Sequence, residues 1–216
     1  MTINQENFRL RIVNADTAEN PFLAWDCEPE VAWDFKSIEN TNGIVKDILN
    51  KLTLSKVKYH QKKLAEILDI GFRDDADLSE KHYEIGYEIS HTNLENLSKV
   101  CDLLKIPNLY YGSRGYSQGD YADVLIVCTD KFYGTTGAKN SQKANERTLN
   151  AAKSLFNAWA WGDVYGFIIE EVDEDGKWNH IDSCYGFYGT DHKESGLYDY
   201  IDEEYSFLIG NEDLYL

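Results

Sequence analysis

The stretch DVYGFIIEEVDEDGKWNHIDSCYGFYG, from Asp163 to Gly189, decides the fold class of this chain. Its two halves are rich in aromatic and β-branched residues, and DEDG between them supplies an Asp-Gly turn, a strong hairpin signal. A second pair of strands flanks the glycine-rich loop in YYGSRGYSQGDYADVLIVCT, from Tyr110 to Thr129. Hairpin-joined strands combined with helices in groups predict an α+β fold with a mainly antiparallel sheet packed by several helices.

Working outward from these hairpins, periodicity predicts the other elements. FRLRIV, from Phe8 to Val13, and HYEIGYEIS, from His82 to Ser90, alternate and predict strands. Apolar residues at helical spacing predict two helices between residues 43 and 70, with Ser55 as the cap of the second. YDYIDEEYSFLI, from Tyr198 to Ile209, fits either a final helix or a strand.

Two further segments carry clear helix signals. TNLENLSKVCDLLKIP predicts a helix that Thr92 or Asn93 caps and that ends before Pro107, and a long helix begins near Ser141. The chain has 216 residues, enough for a core that needs no disulfide or metal. We expect one α+β domain over residues 1–216, with residues 1–90 as a candidate smaller N-terminal lobe.

Composition argues against secretion, membrane insertion and metal binding. The cysteines, Cys27, Cys101, Cys128 and Cys184, are widely spaced and form no CxxC pair, which is typical of reduced thiols in the cytoplasm. No segment has a signal-peptide pattern, and the apolar run VLIVC is too short to span a membrane. No HxH or HExxH pattern occurs, so we expect no metal and no cofactor, and HID at 180–182 reads as a surface pair.

Two glycine-containing segments resemble phosphate loops but have the wrong spacing. GTTGAKNS, from Gly134 to Ser141, separates its glycines by two residues rather than four, so a plain turn between a strand and a helix capped by Ser141 is favoured. The glycines at 112, 115 and 119 precede an apolar strand, whereas a pyrophosphate is held at a helix N-terminus. The loop is best explained as a hairpin turn. Its polar side chains also make it a candidate small-ligand site, which His180 would complete: Arg114, Tyr116, Gln118 and Asp120.

Charge is concentrated at the C-terminal end. The chain carries a net charge of −17, and residues 162–216 contain 15 Asp and Glu against 2 Lys. Such acidity serves solubility, or it faces a basic partner, and it disfavours direct binding of DNA or RNA. The segment from Lys46 to Lys63 has the opposite bias, with six lysines and one acid. Ten carboxylates form the predicted partner-binding face: Asp163, Glu170, Glu171, Asp173, Glu174, Asp175, Asp199, Asp202, Glu203 and Glu204.

GYSQGDYADV, from Gly115 to Val124, resembles a short G-aromatic-Ser-Gln-Gly-Asp loop in uncharacterised proteins of bacteriophages and mobile elements. In those proteins, too, the loop precedes an apolar strand. The resemblance covers about ten residues and carries no assigned chemistry with it. It implies that the protein originates from a phage or mobile element and acts in the cytoplasm of a bacterial host.

Two classes of function fit these observations. The first is a non-enzymatic interaction protein whose acidic face occupies the basic surface of a host nucleic-acid-binding protein, as in a DNA-mimic inhibitor of the anti-CRISPR or antirestriction type. The second is a small cytosolic enzyme or ligand-binding protein with its site at the loop over 112–120. No catalytic motif such as GxSxG occurs, and the acidic C-terminal third favours the first class. The oligomeric state stays open.

Overall fold

A computed structural model describes residues 5–15, 18–26, 28–34, 38–114 and 121–215. It confirms the predicted α+β class with mainly antiparallel sheets. The chain divides into two compact units. The terminal unit consists of Met1–Pro21 and Ser154–Leu216, and the central unit consists of Phe22–Lys153.

The described chain contains eight strands, seven α-helices and three short 3₁₀ helices. The described strands are β1 (Phe8–Asn14), β2 (Glu30–Asp34), β3 (Ile38–Glu39), β4 (Asn108–Arg114), β5 (Tyr121–Val127), β6 (Val164–Val172), β7 (Trp178–Tyr188) and β8 (Asp213–Tyr215). The described α-helices are α1 (Pro21–Ala24), α2 (Asn42–Lys51), α3 (Leu54–Leu68), α4 (Leu78–Ile89), α5 (Leu94–Leu104), α6 (Asp130–Thr136) and α7 (Gln142–Trp161). Short 3₁₀ helices span Gln5–Asn7, Leu197–Tyr200 and Glu203–Leu208.

The terminal unit is built on a four-stranded sheet in the order β7-β6-β1-β8. β1 and β7 both pair antiparallel with β6, and β8 adds to β1 in parallel. Alternate side chains along these strands face one apolar core, which the two C-terminal 3₁₀ helices complete. Its buried members are Leu10, Ile12, Tyr165, Phe167, Ile169, Phe187, Leu197, Ile201 and Leu208. The segment YDYIDEEYSFLI therefore forms neither an α-helix nor a strand but two 3₁₀ turns.

The predicted hairpin between β6 and β7 is confirmed, and its turn is held by one carboxylate. Asp173 accepts hydrogen bonds from the main-chain N–H of Lys177 at 2.8 Å, from Asn179 Nδ2 at 3.0 Å and from the N–H of Asp175 at 3.0 Å. Gly176 adopts φ of 77°, a left-handed conformation that favours glycine. Further along, the register shifts at a β-bulge: Glu170 pairs with His180, but Ile169 pairs with Asp182. His180 and Asp182, the predicted surface pair, therefore flank the bulge, where the regular alternation of side chains along β7 is interrupted.

The central unit contains the second sheet, in the antiparallel order β3-β2-β5-β4. Helices α2 to α5 pack on one face of it through a continuous apolar cluster that includes Ile44, Val57, Ile85, Leu97 and Leu125. Thr53 rather than the predicted Ser55 caps α3, because its hydroxyl accepts from the N–H of Lys56. The predicted turn over 134–141 begins inside helix α6, which contains residues 134–136, rather than after a strand.

The strand predicted for HYEIGYEIS is wrong, because these residues lie in helix α4. A capping box starts the helix: the Asp77 side chain accepts from the N–H groups of Ser79 and Glu80, and the Glu80 side chain accepts from the N–H of Asp77. Ile85 and Ile89, four residues apart, are both fully buried. Side chains four apart share one face of a helix, so the apolar pattern fits a helix as well as a strand.

Three of the cysteines, Cys101, Cys128 and Cys184, are free thiols, and Cys27 lies outside the described residues. Burial raises the pKa of Cys101 to about 12, so its thiol stays protonated. No helix in the described part of the chain is long and apolar enough to cross a membrane.

Candidate functional site

Adjacent glutamates at the end of β6 have opposite environments. β1 pairs Arg9 with Glu170 and Phe8 with Glu171, and successive strand residues point to opposite faces of a sheet. Glu170 Oε2 lies 2.7 Å from Arg9 Nε and 3.6 Å from Arg11 Nη1, and its side chain is 14% exposed. The Arg9 guanidinium also lies 4.2 Å from the centroid of the Trp178 ring. Glu170 is therefore neutralised within the fold by two arginines.

On the other face, carboxylates gather around Tyr205. Burial raises the pKa of Tyr205, and so do the charge and hydrogen bond of Glu204 and the charges of Glu171 and Asp202. The ring of Phe8, 5.6 Å from that of Tyr205 between centroids, packs against it. Asp202, Glu203 and Glu204 form the start of a 3₁₀ helix, where acidic residues are favoured by the free N–H groups. We call Glu171, Asp202, Glu203 and Glu204 the carboxylate surface.

The remaining members of the predicted acidic face are distributed over the same unit. Asp163 is half-buried before β6, where its charge adds to the effect of burial in raising the pKa of Tyr165. Asp173 has a lowered pKa, chiefly because of its hydrogen bond from Lys177 N–H, and serves the hairpin turn. Glu174 and Asp175 are exposed at the hairpin tip, and Asp199 is exposed in the 3₁₀ helix Leu197–Tyr200.

The ten carboxylates of the predicted face also differ in whether a basic side chain lies nearby. Among the described residues, Glu170 is the one member of the predicted face within ion-pairing distance of a basic side chain. The Asp173 carboxylate accepts hydrogen bonds within the hairpin turn, and the charge of Asp163 acts on Tyr165. Nine members therefore have no cation within ion-pairing distance in the described part of the chain. Besides Asp163 and Asp173 they are Glu171, Glu174, Asp175, Asp199, Asp202, Glu203 and Glu204.

The predicted ligand site at the glycine-rich loop is described only in part. Tyr116, Gln118 and Asp120 lie outside the described residues, and Arg114 is the last residue of β4, paired with Tyr121 of β5. His180, the predicted fifth member, belongs to β7 of the terminal unit, where its Nε2 lies 3.0 Å from Ser183 Oγ. The two strands that flank the loop form the predicted antiparallel hairpin.

No protein-family model, no curated protein and no solved structure matches this chain. Within the described ranges, no group of three or more His, Cys, Asp or Glu side chains is placed to hold a metal ion. The surfaces of the two units therefore carry the information on function.

The outward face of α4 is absent from the sequence prediction, because that prediction places a strand over residues 82–90. In a strand, Tyr83 and Glu84 would face opposite sides, and the face that α4 presents would not exist. In the helix, Tyr83 and Tyr87 lie one turn apart, and Glu84 and Glu88 form a parallel row beside them. The capping box that starts at Asp77 is the sequence signal that could have identified this face.

Proposed function

We propose that this protein is a phage- or mobile-element-encoded interaction protein that inhibits a host nucleic-acid-binding protein by occupying its basic surface. The carboxylate surface makes the central contact, and Glu174, Asp175 and Asp199 extend the negative field around it. In this role the protein acts as a DNA mimic, of the anti-CRISPR or antirestriction type.

The observation that carries this proposal is the gathering of unpaired carboxylates around Tyr205. The charges of Glu171, Asp202 and Glu204 all raise the pKa of Tyr205, so all three lie within electrostatic range of one phenol. Like charges at short range repel, and no basic side chain of the described residues offsets that repulsion. A cationic partner surface would relieve it. Binding would therefore be favoured by new ion pairs.

Electrostatics also indicates which partner is suitable. Duplex DNA presents about one negative charge per 1.7 Å of its axis, so a protein that binds DNA displays Lys and Arg along a groove or ridge. Such a surface attracts clustered carboxylates at long range, which speeds association and makes it sensitive to salt. Phosphates are repelled by the same field, so nucleic acid itself is an unsuitable ligand for the terminal unit.

The test is affinity capture from a bacterial lysate at about 50 mM and about 500 mM salt, where Debye screening differs strongly. The bait proteins are the wild type and a variant that neutralises the carboxylate surface: Glu171→Gln, Asp202→Asn, Glu203→Gln and Glu204→Gln. A matched control neutralises four other exposed carboxylates that form no side-chain hydrogen bond or ion pair among the described residues: Glu39→Gln, Glu66→Gln, Asp74→Asn and Glu194→Gln.

We expect the wild type and the matched control to recover a nucleic-acid-handling protein at low salt only, and the surface variant to lose it. Duplex DNA should then displace the wild type from the purified partner, because both occupy one surface. Recovery of no such protein at low salt would contradict the proposal. So would equal recovery by the surface variant and the matched control.

A further inference from the structure

The outward face of α4 exposes two aromatic rings to solvent. Tyr83 is 77% exposed and Tyr87 is 54% exposed, whereas Ile85 and Ile89 on the opposite side are fully buried. A rise of about 1.5 Å per residue places the two tyrosine positions about 6 Å apart along the helix. Tyrosines are enriched at the centres of protein interfaces, because a rigid ring gives a large contact area at a small entropic cost.

Carboxylates line the same face. Glu84 and Glu88 are half-buried beside the tyrosines and form no ion pair within the described part of the chain. Together with Tyr83, Tyr87 and Arg73 they line an open groove of about 760 Å³. Arg73 does not neutralise them, because its guanidinium pairs with Glu80 at 3.2 Å and with Asp75 at 3.9 Å. The groove therefore combines two exposed aromatic faces with two unneutralised negative charges.

Part of this face is held in a fixed geometry. The ring of Tyr87 stacks on that of His91, with centroids 4.3 Å apart and an interplanar angle of 30°. His91 Nδ1 is hydrogen-bonded to the carbonyl oxygen of Tyr87 at 2.8 Å, which orients the histidine ring. The capping box at Asp77 fixes the start of the helix. A preorganised ring loses less conformational entropy when a ligand binds.

We propose that the α4 face binds an arginine-rich segment of a partner protein. A guanidinium group stacks on a tyrosine ring and donates paired hydrogen bonds to a carboxylate, so a tyrosine and a glutamate side by side suit arginine better than lysine. The carboxylates of Glu84 and Glu88 belong to positions about 6 Å apart along the helix. Arginines four residues apart on a partner helix have the same spacing.

A second copy of this chain is a poorer occupant of the groove. Each copy carries a net charge of −17, so copies repel one another. The basic surface that this chain could offer, on helix α3, carries lysines and no arginine: Lys56, Lys58, Lys62 and Lys63. The inference is independent of the proposed function, because α4 belongs to the central unit and the carboxylate surface to the terminal unit.

The test uses a synthetic alanine-based helical peptide with four arginines at four-residue spacing, and a matched peptide with lysines. Binding to the full chain is measured by fluorescence anisotropy at low salt. We expect the arginine peptide to bind about tenfold more tightly than the lysine peptide. The double variant Tyr83→Ala with Tyr87→Ala should weaken binding of the arginine peptide about tenfold or more, and the matched Tyr→Phe pair should restore it.

Other variants separate this inference from the proposed function. Glu84→Gln with Glu88→Gln should weaken binding of the arginine peptide, and the variant of the carboxylate surface should leave the tenfold preference for arginine unchanged. Loss of binding in the carboxylate-surface variant alone would overturn the inference and leave the proposed function standing. Equal binding of both peptides would overturn it as well. So would a salt-resistant dimer in sedimentation that Tyr83→Ala with Tyr87→Ala abolishes.

Discussion

Neutralising either of two adjacent glutamates in β6 should have different consequences for stability. Glu170→Gln removes the charge that pairs with Arg9 at 2.7 Å and Arg11 at 3.6 Å. The amide still accepts one hydrogen bond, but the two arginines then face each other without an anion. The arginine side chains are 26% and 25% exposed, so solvent screens part of the effect. The expected loss of unfolding free energy is about 1–2 kcal/mol, between the values for exposed and buried pairs.

Glu171→Gln is the matched change on the opposite face. It removes one of the charges that crowd Tyr205, so the free energy of unfolding should change by less than about 0.5 kcal/mol or increase slightly. The pKa of Tyr205 should fall toward its ordinary value, because Glu171 contributes to raising it. Glu171→Gln should also weaken partner binding.

Urea unfolding followed by circular dichroism measures both variants. With a slope of about 2 kcal/mol per M urea, Glu170→Gln should lower the midpoint by about 0.5–1 M, and Glu171→Gln should leave it unchanged within about 0.3 M. High salt should reduce the difference between the two variants. If Glu171→Gln destabilised the protein as much as Glu170→Gln, the assignment of these glutamates to different environments would be refuted.

Three other variants test packing, capping and titration. Phe167→Ala in the terminal core should lower the free energy of unfolding by about 3–5 kcal/mol, and a loss below about 1 kcal/mol would contradict its burial. Asp77→Ala should lower the free energy of unfolding by about 1 kcal/mol and reduce helical ellipticity. No change in either quantity would contradict the capping box. Burial, with the hydrogen bond to Glu212 and its charge, raises the pKa of Tyr198 to about 12. Its stabilising contribution is complete below the unfolded pKa of about 10 and is lost as the pH rises through 12, so Tyr198→Phe should flatten the alkaline decline in stability.

Local signals explain why most elements could be predicted from the sequence. The Asp-Gly turn before Lys177 specifies a hairpin by backbone geometry alone. The adjacent apolar pairs Ile44–Val45 and Ile48–Leu49, four residues apart, specify a helix because they break the alternation of a strand. Helix α4 was missed because Ile85 and Ile89 satisfy both periods, since four residues are one helical turn and also two steps of a strand. The residues that decide between them, in the capping box, lie before the ambiguous segment.

The candidate site depends on contacts that no local pattern contains. Glu170 and Glu171 are the same residue type in neighbouring positions, so the sequence does not distinguish them. Their environments differ because β1 brings Arg9, 161 residues away in the chain, against Glu170. The convergence of Glu171 with Asp202 and Glu204 likewise depends on where the C-terminal 3₁₀ helix packs. The sequence therefore predicts how much negative charge the C-terminal part carries, and only the fold separates paired from unpaired carboxylates.

Competition with DNA for the captured host partner tests the central claim most directly. The purified partner is bound to a labelled DNA duplex at low salt, and the wild-type protein is titrated into the complex. We predict full displacement of the duplex by the wild type and by the matched control, with at least a tenfold higher concentration required for the variant of the carboxylate surface. A stable ternary complex of protein, partner and duplex, or equal displacement by all three proteins, would contradict the account.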